Sequence, residues 1–315
     1  MFSRSLVTAL QNSDYFSVVA RAETETEAGE MLQRGDAQFV VNVPEDFSRK
    51  LQRGERPVLL VEADASDPVA TGNAIAVLAN LNLSGLDHDL TGPLAHLRSP
   101  APPFEVRVHR RYNPEGITQY NIVPGLMGVI LTMTMVMGTG LAMTRERERG
   151  TIENLLATPV KPLEVTFGKI VPNILVGYIQ VGLILLAARF VFEVPMIGSL
   201  PLLLACVLAF VFANLAVGFT FSTLAKNQMQ SMQMTMFFFL PNMLLSGFMF
   251  PFRGMPGWAQ AIGEVLPLTH FLRIVRGILL KGNGLAEILP DLWPILAFLL
   301  GALTLALLRY RRTLD

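Results

Sequence analysis

The chain has 315 residues, of which 51% are hydrophobic and 16% are charged, and its formal net charge is zero. This composition is more apolar than that of ordinary soluble proteins, and the single cysteine, Cys206, excludes an internal disulfide framework and a cysteine-based zinc site. More than half of the charged residues lie before residue 116, so the zero net charge averages two unlike parts and indicates nothing about partners.

Residues 1–118 have the composition of a small water-soluble domain. Short runs rich in β-forming residues alternate here with stretches of helical spacing, which end at turn residues such as Gly35 and Gly54. The β-rich runs are 37–43, 57–64 and 104–112. Strands that alternate with helices predict an α/β domain in which the helices pack on a sheet.

The sequence after Pro114 is dominated by apolar runs that match the length of membrane spans. A hydrocarbon core of ~30 Å is crossed by a helix of about 20 apolar residues. Five such runs follow one another, at about 122–143, 170–188, 199–224, 229–250 and 288–308. A buried core helix would explain any one of them, but five in succession predict an α-helical, multi-pass membrane protein over 119–315.

Lysine and arginine residues near the ends of these runs predict the orientation. They crowd the loop after the first run and recur as RYRR at 309–312 after the last, and such positive segments stay in the cytoplasm. The C-terminus is therefore expected in the cytoplasm and the 1–118 domain outside it. The basic residues of 251–287 argue the other way, but long loops count less in this rule.

This topology needs a further membrane helix before the 1–118 domain. The first 16 residues are neither a span nor a signal peptide, because they lack a long apolar stretch. We expect an apolar segment of about 20 residues upstream of Met1. The alternative is a cytoplasmic domain with the inverted topology, which the basic loops disfavour.

The segment 144–158, between the first two runs, predicts a short amphipathic helix. Its charged i,i+3 pairs are Arg145 with Glu148 and Glu146 with Arg149. Its apolar side consists of Ile152, Leu155 and Leu156, and Pro159 ends it. The residues alone fit two alternatives equally: a helix that docks on a partner, or an interfacial helix whose arginines only set the topology.

The sequence lacks the patterns of several other functions. No stretch reads G-x-x-x-x-G-K-[ST], so the chain is not expected to hydrolyse ATP. The four histidines show no metal-ligand spacing, there is no catalytic constellation, and the basic residues lack the aromatic interleaving typical of nucleic-acid binding. We therefore expect no metal and no cofactor bound by this chain.

Three ordered motifs carry a resemblance to a known family. They are RYNPEGITQYNIVPGLMGVIL, RERERGTIENLLATPVKPLEVTFGK and LLSGFMFPFRGMPGWAQAIGEVLPLTHFLRIVRGILLKG. As a set they resemble the membrane subunits of type-2 ABC exporters, in particular permeases like those of bacterial multidrug efflux systems. The resemblance runs from about Arg111 to the C-terminus. Such permeases have six spans, and the first is absent here.

The resemblance implies roles for particular residues. The segment 144–158 becomes a cytoplasmic coupling helix that docks on an ATPase subunit through Arg145, Glu146, Arg149, Glu153, Leu155 and Leu156. The region 251–287 becomes a set of outer re-entrant helices that includes Trp258, His270, Arg273 and Arg276, where the residues alone fit an ordinary amphipathic surface helix equally well. Polar residues inside the spans either hydrogen-bond between helices or line a translocation path. They are Asn173, Gln180, Asn214, Gln233 and Asn242.

The resemblance also implies the partners. A separate ABC ATPase chain would bind ATP and magnesium, and a second permease chain, identical or related, would complete the transporter in a bacterial inner membrane. A periplasmic membrane-fusion adaptor would dock on the 1–118 domain. We therefore expect the permease subunit of an exporter of drug-like or lipid-like molecules. The alternative function is a membrane-anchored interaction protein that recruits an adaptor and transports nothing.

Overall fold

The computed structural model describes residues 2–13, 15–84, 102–150 and 162–311. The chain forms two compact units, Met1–Thr118 and Gln119–Asp315. The division falls where the sequence changes from charged to apolar.

The N-terminal unit contains a three-stranded sheet with the order β1-β2-β3. Its strands, β1 (Phe39–Asn42), β2 (Val58–Asp64) and β3 (Glu105–Arg111), lie inside the three β-rich runs of the sequence. Strand β2 is antiparallel to β1 and parallel to β3. Alternate side chains of β2 are buried because successive residues of a strand face opposite sides of the sheet.

Four helices accompany this sheet within the described part of the N-terminal unit. They are α1 (Phe2–Gln11), α2 (Glu25–Arg34), α3 (Phe47–Gln52) and α4 (Pro68–Ser84). Helix α2 has clear end signals, because the Thr24 side chain accepts a hydrogen bond from the Glu27 N–H, and Gly35 ends the helix at a φ of 83°. Phe47 of α3 packs edge-on against Phe104 in the core of this unit, with ring centroids 5.8 Å apart.

The C-terminal unit is helical throughout its described part. Its helices are α5 (Gln119–Glu148), α6 (Pro162–Phe190), α7 (Leu200–Leu224), α8 (Gln228–Leu245), α9 (Gly257–Gly263), α10 (Pro267–Arg276) and α11 (Leu285–Arg311). A 3₁₀ turn (Phe252–Gly254) precedes α9, and a π-helical turn (Gly277–Lys281) follows α10.

Four of the described helices are long and apolar enough to cross a membrane. They are α5, α6, α7 and α11, over Gln119–Glu146, Ile170–Phe190, Leu200–Leu224 and Leu285–Ala306. The run predicted as a span at 229–250 forms the 18-residue helix α8, which ends at Leu245, and its crossing of the membrane stays a prediction. Glutamines in its first turns lower its hydropathy, and Gly247, with a φ of 84°, turns the chain shortly after its end.

Helix α7 occupies the centre of the C-terminal unit. Of its most apolar stretch 61% is buried inside the protein, compared with 11% for α6 and for α11, which leave most of their apolar surface outward. Helices α5 and α11 pack along α7. The Phe210 ring of α7 stacks on Phe271 of α10 with ring centroids 4.0 Å apart. The outward apolar surfaces of α6 and α11 are what lipid would cover.

Two glycines bring α5 and α7 unusually close. A Cβ on Gly218 of α7 would lie 2.7 Å from the Val136 carbonyl oxygen and 2.9 Å from the Thr139 Cβ, both on α5. A Cβ on Gly140 of α5 would lie 2.8 Å from the Ser231 Oγ of α8. Small residues allow helix backbones to approach in this way.

The short helices between 252 and 281 form part of the core. In α10 nearly every side chain is buried, including Leu268, Phe271 and Val275. The alternative of an amphipathic surface helix is therefore wrong for α10. Its polar face is turned towards partners within the protein, because α10 packs against α5, α7, α8 and α11.

The α5–α7 contact generates a stability prediction. Gly218→Ala should lower the melting temperature of the full chain in detergent, because the added methyl group overpacks the contact at a cost of about 1–3 kcal/mol. Gly301→Ala on α11 is the matched control, since nothing lies within 4 Å of a Cβ at that position. It should leave stability unchanged or raise it by about 0.5–1 kcal/mol. Equal melting temperatures for the two variants would contradict the close contact.

Candidate functional site

One end of α5 is joined to the start of α8 by polar contacts. The Glu148 carboxylate accepts hydrogen bonds from the backbone N–H of Gln228, at 2.8 Å, and from its side-chain amide. The Arg145 guanidinium lies 3.5 Å from Oε1 of Gln228. We call Arg145, Glu148 and Gln228 the α5–α8 junction. The hydrogen bonds from Gln228 lower the pKa of Glu148.

The junction changes the interpretation of segment 144–158. Residues up to Glu148 continue α5, since neither glycine nor proline stands between Gly140 and Gly150. The predicted coupling helix therefore does not begin as a separate helix at 144. Arg145 and Glu146 belong to the last turns of α5, and Arg149 follows it as an exposed residue. Glu153, Leu155 and Leu156 lie outside the described residues.

The polar residues predicted inside the spans do not share one environment. Asn214 and Asn242 are fully buried, and each donates its amide to a carbonyl one turn earlier, Phe210 and Phe238 respectively. Gln233 is exposed, and Asn173 is half-buried. Their predicted role in a translocation path stays a prediction.

Gln180 belongs to a set of hydrogen bonds that join neighbouring helices. Its Oε1 accepts from the Thr134 hydroxyl of α5 at 2.9 Å. The Tyr178 hydroxyl of α6 donates to the Leu204 carbonyl of α7 at 3.1 Å, and the Thr220 hydroxyl of α7 lies 3.3 Å from the Ala302 carbonyl of α11. These contacts satisfy polar groups that have no water partner inside a bilayer.

A cluster of charged side chains connects α10 to α11, and we call Glu264, His270, Arg273 and Asp291 the charge cluster. Arg273 donates to both Glu264 carboxylate oxygens, at 2.6 and 3.2 Å, and to Asp291 Oδ1 at 3.3 Å. His270 lies between Asp291 and Glu264, and its side chain is only 7% exposed. The Arg273 guanidinium also lies 4.8 Å from the centre of the Phe252 ring.

Arg276, on the same helix, makes a separate connection to the start of α5. Its guanidinium donates to Asn121 Oδ1 at 2.9 Å and to the Gly247 carbonyl at 3.3 Å. It therefore ties α10 to α5 and to the turn after α8.

Trp258 of α9 lies in a different environment from His270, Arg273 and Arg276, because 67% of its surface is exposed. The structure thus brings His270 and Arg273 together and leaves Trp258 apart from their contacts.

Asp291, a member of this cluster, is not among the site residues predicted from the sequence. The residue lies inside an apolar run and was treated as part of a span. An acidic residue within such a run is costly in a membrane without a partner. This cost indicates that Asp291 has a partner inside the protein. Only the fold shows that its partners, His270 and Arg273, lie on α10.

The apolar helices and their internal polar contacts define a multi-pass membrane protein. The profile of the ABC-2 family transporter proteins matches residues 1–308, and the chain belongs to that family. The match includes the N-terminal unit, beyond the part in which the motifs carried the resemblance. The chain is therefore a membrane subunit of an ABC transporter.

Named permeases are similar over most of their length. The inner membrane transport permease YhhJ of Escherichia coli is 32% identical over 301 residues, which cover 92% of this chain and 77% of that protein. The probable multidrug ABC transporter permease YbhR of Escherichia coli is 28% identical, over 89% of this chain and 75% of that protein. The linearmycin resistance permease protein LnrN of Bacillus subtilis is 21% identical, with 87% and 76% covered.

The contact between Thr134 and Gln180 is testable by a double-mutant cycle. Thr134→Val and Gln180→Leu should each destabilise the full chain, and the double variant should lose less than their sum, with a coupling of about 0.6–2 kcal/mol. Gln233→Leu is the control, because this glutamine is exposed on α8. Strict additivity of the first two substitutions in unfolding measurements would exclude the interhelical bond.

Proposed function

We propose that this chain is the permease subunit of an ATP-driven exporter, in which a separate ATPase chain binds ATP and magnesium and supplies hydrolysis. Membership of the ABC-2 family is the observation that carries the proposal. Similarity to a probable multidrug permease and to a linearmycin resistance permease favours a drug-like or lipid-like cargo. The apolar outward surface of α6 and α11 suits a subunit embedded in a bacterial inner membrane.

Segment 149–161 is the proposed docking site for the ATPase. Helix α5 leads into this segment without a break after the span, and the α5–α8 junction fastens its end to a second helix. A partner bound there would act on both helices together. The apolar residues Leu155 and Leu156, beside the acidic Glu153, would form the contact, with Arg145, Glu146 and Arg149 at its rim.

The basic residues near segment 149–161 favour a cytoplasmic location for it and for the C-terminus. In this orientation the N-terminal unit lies in the periplasm, where it would meet a membrane-fusion adaptor. Exposed apolar side chains at Tyr15, Val18 and Val19 are candidates for that contact. A second permease chain would cover part of the outward apolar surface, and lipid would cover the rest.

A function without transport is the competing proposal. In it the helices only anchor the N-terminal unit, which recruits an adaptor. The two proposals differ in what segment 149–161 does, because an anchor needs no ATPase contact.

The ATPase contact is tested by one substitution and a rim control. Leu155→Asp places a charge in the proposed docked face, where burial without a partner costs several kcal/mol, on the order of 2–7. We expect this variant to lose co-purification with the ATPase while its membrane insertion stays normal. Arg149→Ala should retain the partner, since a rim charge contributes under about 1 kcal/mol. Retention of the ATPase by Leu155→Asp would favour the anchor.

The orientation is tested by thiol labelling in intact cells. The native Cys206 is buried, so cysteines placed at exposed positions give the signal. Gln52→Cys, in the N-terminal unit, should react with a membrane-impermeant reagent added outside. Lys226→Cys, in the loop before α8, should react only after the membrane is opened. The reverse pattern would establish the inverted topology.

A further inference from the structure

The first turn of α8 is capped in part by a side chain from another helix. The first four backbone N–H groups of a helix have no partner inside the helix itself. Asn227, just before α8, accepts one of them through its side chain, from the Gln230 N–H at 2.8 Å. The Gln228 N–H is accepted by the Glu148 carboxylate of α5, also at 2.8 Å. The last turn of α5 therefore supplies part of the cap of α8.

The negative charge of Glu148 strengthens this cap. A carboxylate accepts hydrogen bonds more strongly than a neutral oxygen does, and the N-terminus of a helix carries a partial positive charge. The same carboxylate also accepts from the Gln228 side-chain amide, so two groups of one residue bind it. The side-chain and backbone hydrogen bonds from Gln228 hold the pKa of Glu148 below its ordinary value. Glu148 is therefore ionised at neutral pH.

Glu148 connects this cap to the proposed docking site. It is the last residue of α5, directly before segment 149–161, and it lies just beyond the membrane-length stretch Gln119–Glu146. Its side chain is exposed, so water would take its place at the N–H groups of α8 if the carboxylate were removed. Loss of the cap would therefore release the start of α8 from the end of α5 without leaving a buried polar group unpaired.

We propose that Glu148 is a positioning residue, which transmits a displacement of segment 149–161 to the first turn of α8. The inference rests on the proposed function, because it takes this segment as the docking site for the ATPase. A partner that displaces the end of α5 displaces the Glu148 carboxylate with it, and the Gln228 groups bonded to the carboxylate follow. Ser231, about one turn further along α8, also packs against Gly140 of α5. The response without the cap is therefore reduced and not abolished.

Variants on both helices remove the cap in different ways. Gln228→Pro removes the backbone N–H that Glu148 accepts, at the first position of a helix, where proline is tolerated. Gln228→Ala is its matched comparison, since it keeps this N–H and loses only the side-chain amide. On α5, Glu148→Ala removes both hydrogen bonds. Glu148→Gln keeps an acceptor oxygen in a side chain of the same size and removes the charge.

Distances between two spin labels in lipid nanodiscs measure the response of α8. The labels are placed at Met229→Cys, in the first turn of α8, and at Leu300→Cys, on α11, because both side chains are exposed and the native Cys206 is buried. An excess of unlabelled chain ensures that an assembly holds at most one labelled copy. The distance is recorded with and without the ATPase and a non-hydrolysable ATP analogue, and co-purification of the ATPase is measured for each variant.

We expect ATPase binding to shift the distance between the labels when Glu148 and Gln228 are native, and Gln228→Ala should keep most of this shift. Glu148→Ala and Gln228→Pro should each show less than about half of it while the ATPase still co-purifies, and Glu148→Gln should restore part of it. The full shift in Glu148→Ala and in Gln228→Pro would overturn the proposal, as would no shift with both residues native and the ATPase bound. Failure of the ATPase to bind the native chain would instead refute the proposed function itself.

Discussion

The close contact between α5 and α7 is the constraint on which the rest of the C-terminal unit depends. At Gly218 the Val136 carbonyl lies closer than a side chain at that position would allow. Gly140 gives the same room to the Ser231 side chain of α8. Helices α5 and α7 thereby meet with little space between their backbones, and the Ser231 side chain of α8 packs against α5. Hydrophobic burial drives association weakly in lipid, so such contacts and the hydrogen bonds beside them carry much of the stability. Helices α6 and α11 add their outward surfaces to this centre.

Helix α5 is held at both ends by polar contacts. Asn121, in its first turn, accepts from Arg276 of α10, and Glu148, in its last turn, accepts from Gln228 of α8. The helix therefore connects the short-helix region at 252–281 to the segment proposed to meet the ATPase. A displacement at one end of α5 can be transmitted along this continuous helix to its other end. This is a structural route, and coupling along it requires measurement.

The sequence predicted element types well and their partners poorly. Apolar runs predicted the membrane helices because length and composition decide that property locally. The run around α8 forms a helix that is shorter and less apolar than the other predicted spans, because glutamines lower its hydropathy and the chain turns at Gly247. The charge cluster could not be predicted, since Asp291 and His270 meet only through the packing of α10 on α11. Arg145 was expected to pair with Glu148, but both contact Gln228, 80 or more residues away.

The central claim is that this chain is a transporter subunit driven by a separate ATPase. The most direct measurement is ATP hydrolysis in lipid nanodiscs by the chain, by its proposed ABC ATPase partner, and by the two assembled together. We predict no hydrolysis by the chain alone and an assembled rate well above that of the isolated ATPase. Hydrolysis by the chain itself, or an assembled rate equal to that of the ATPase alone, would contradict the claim.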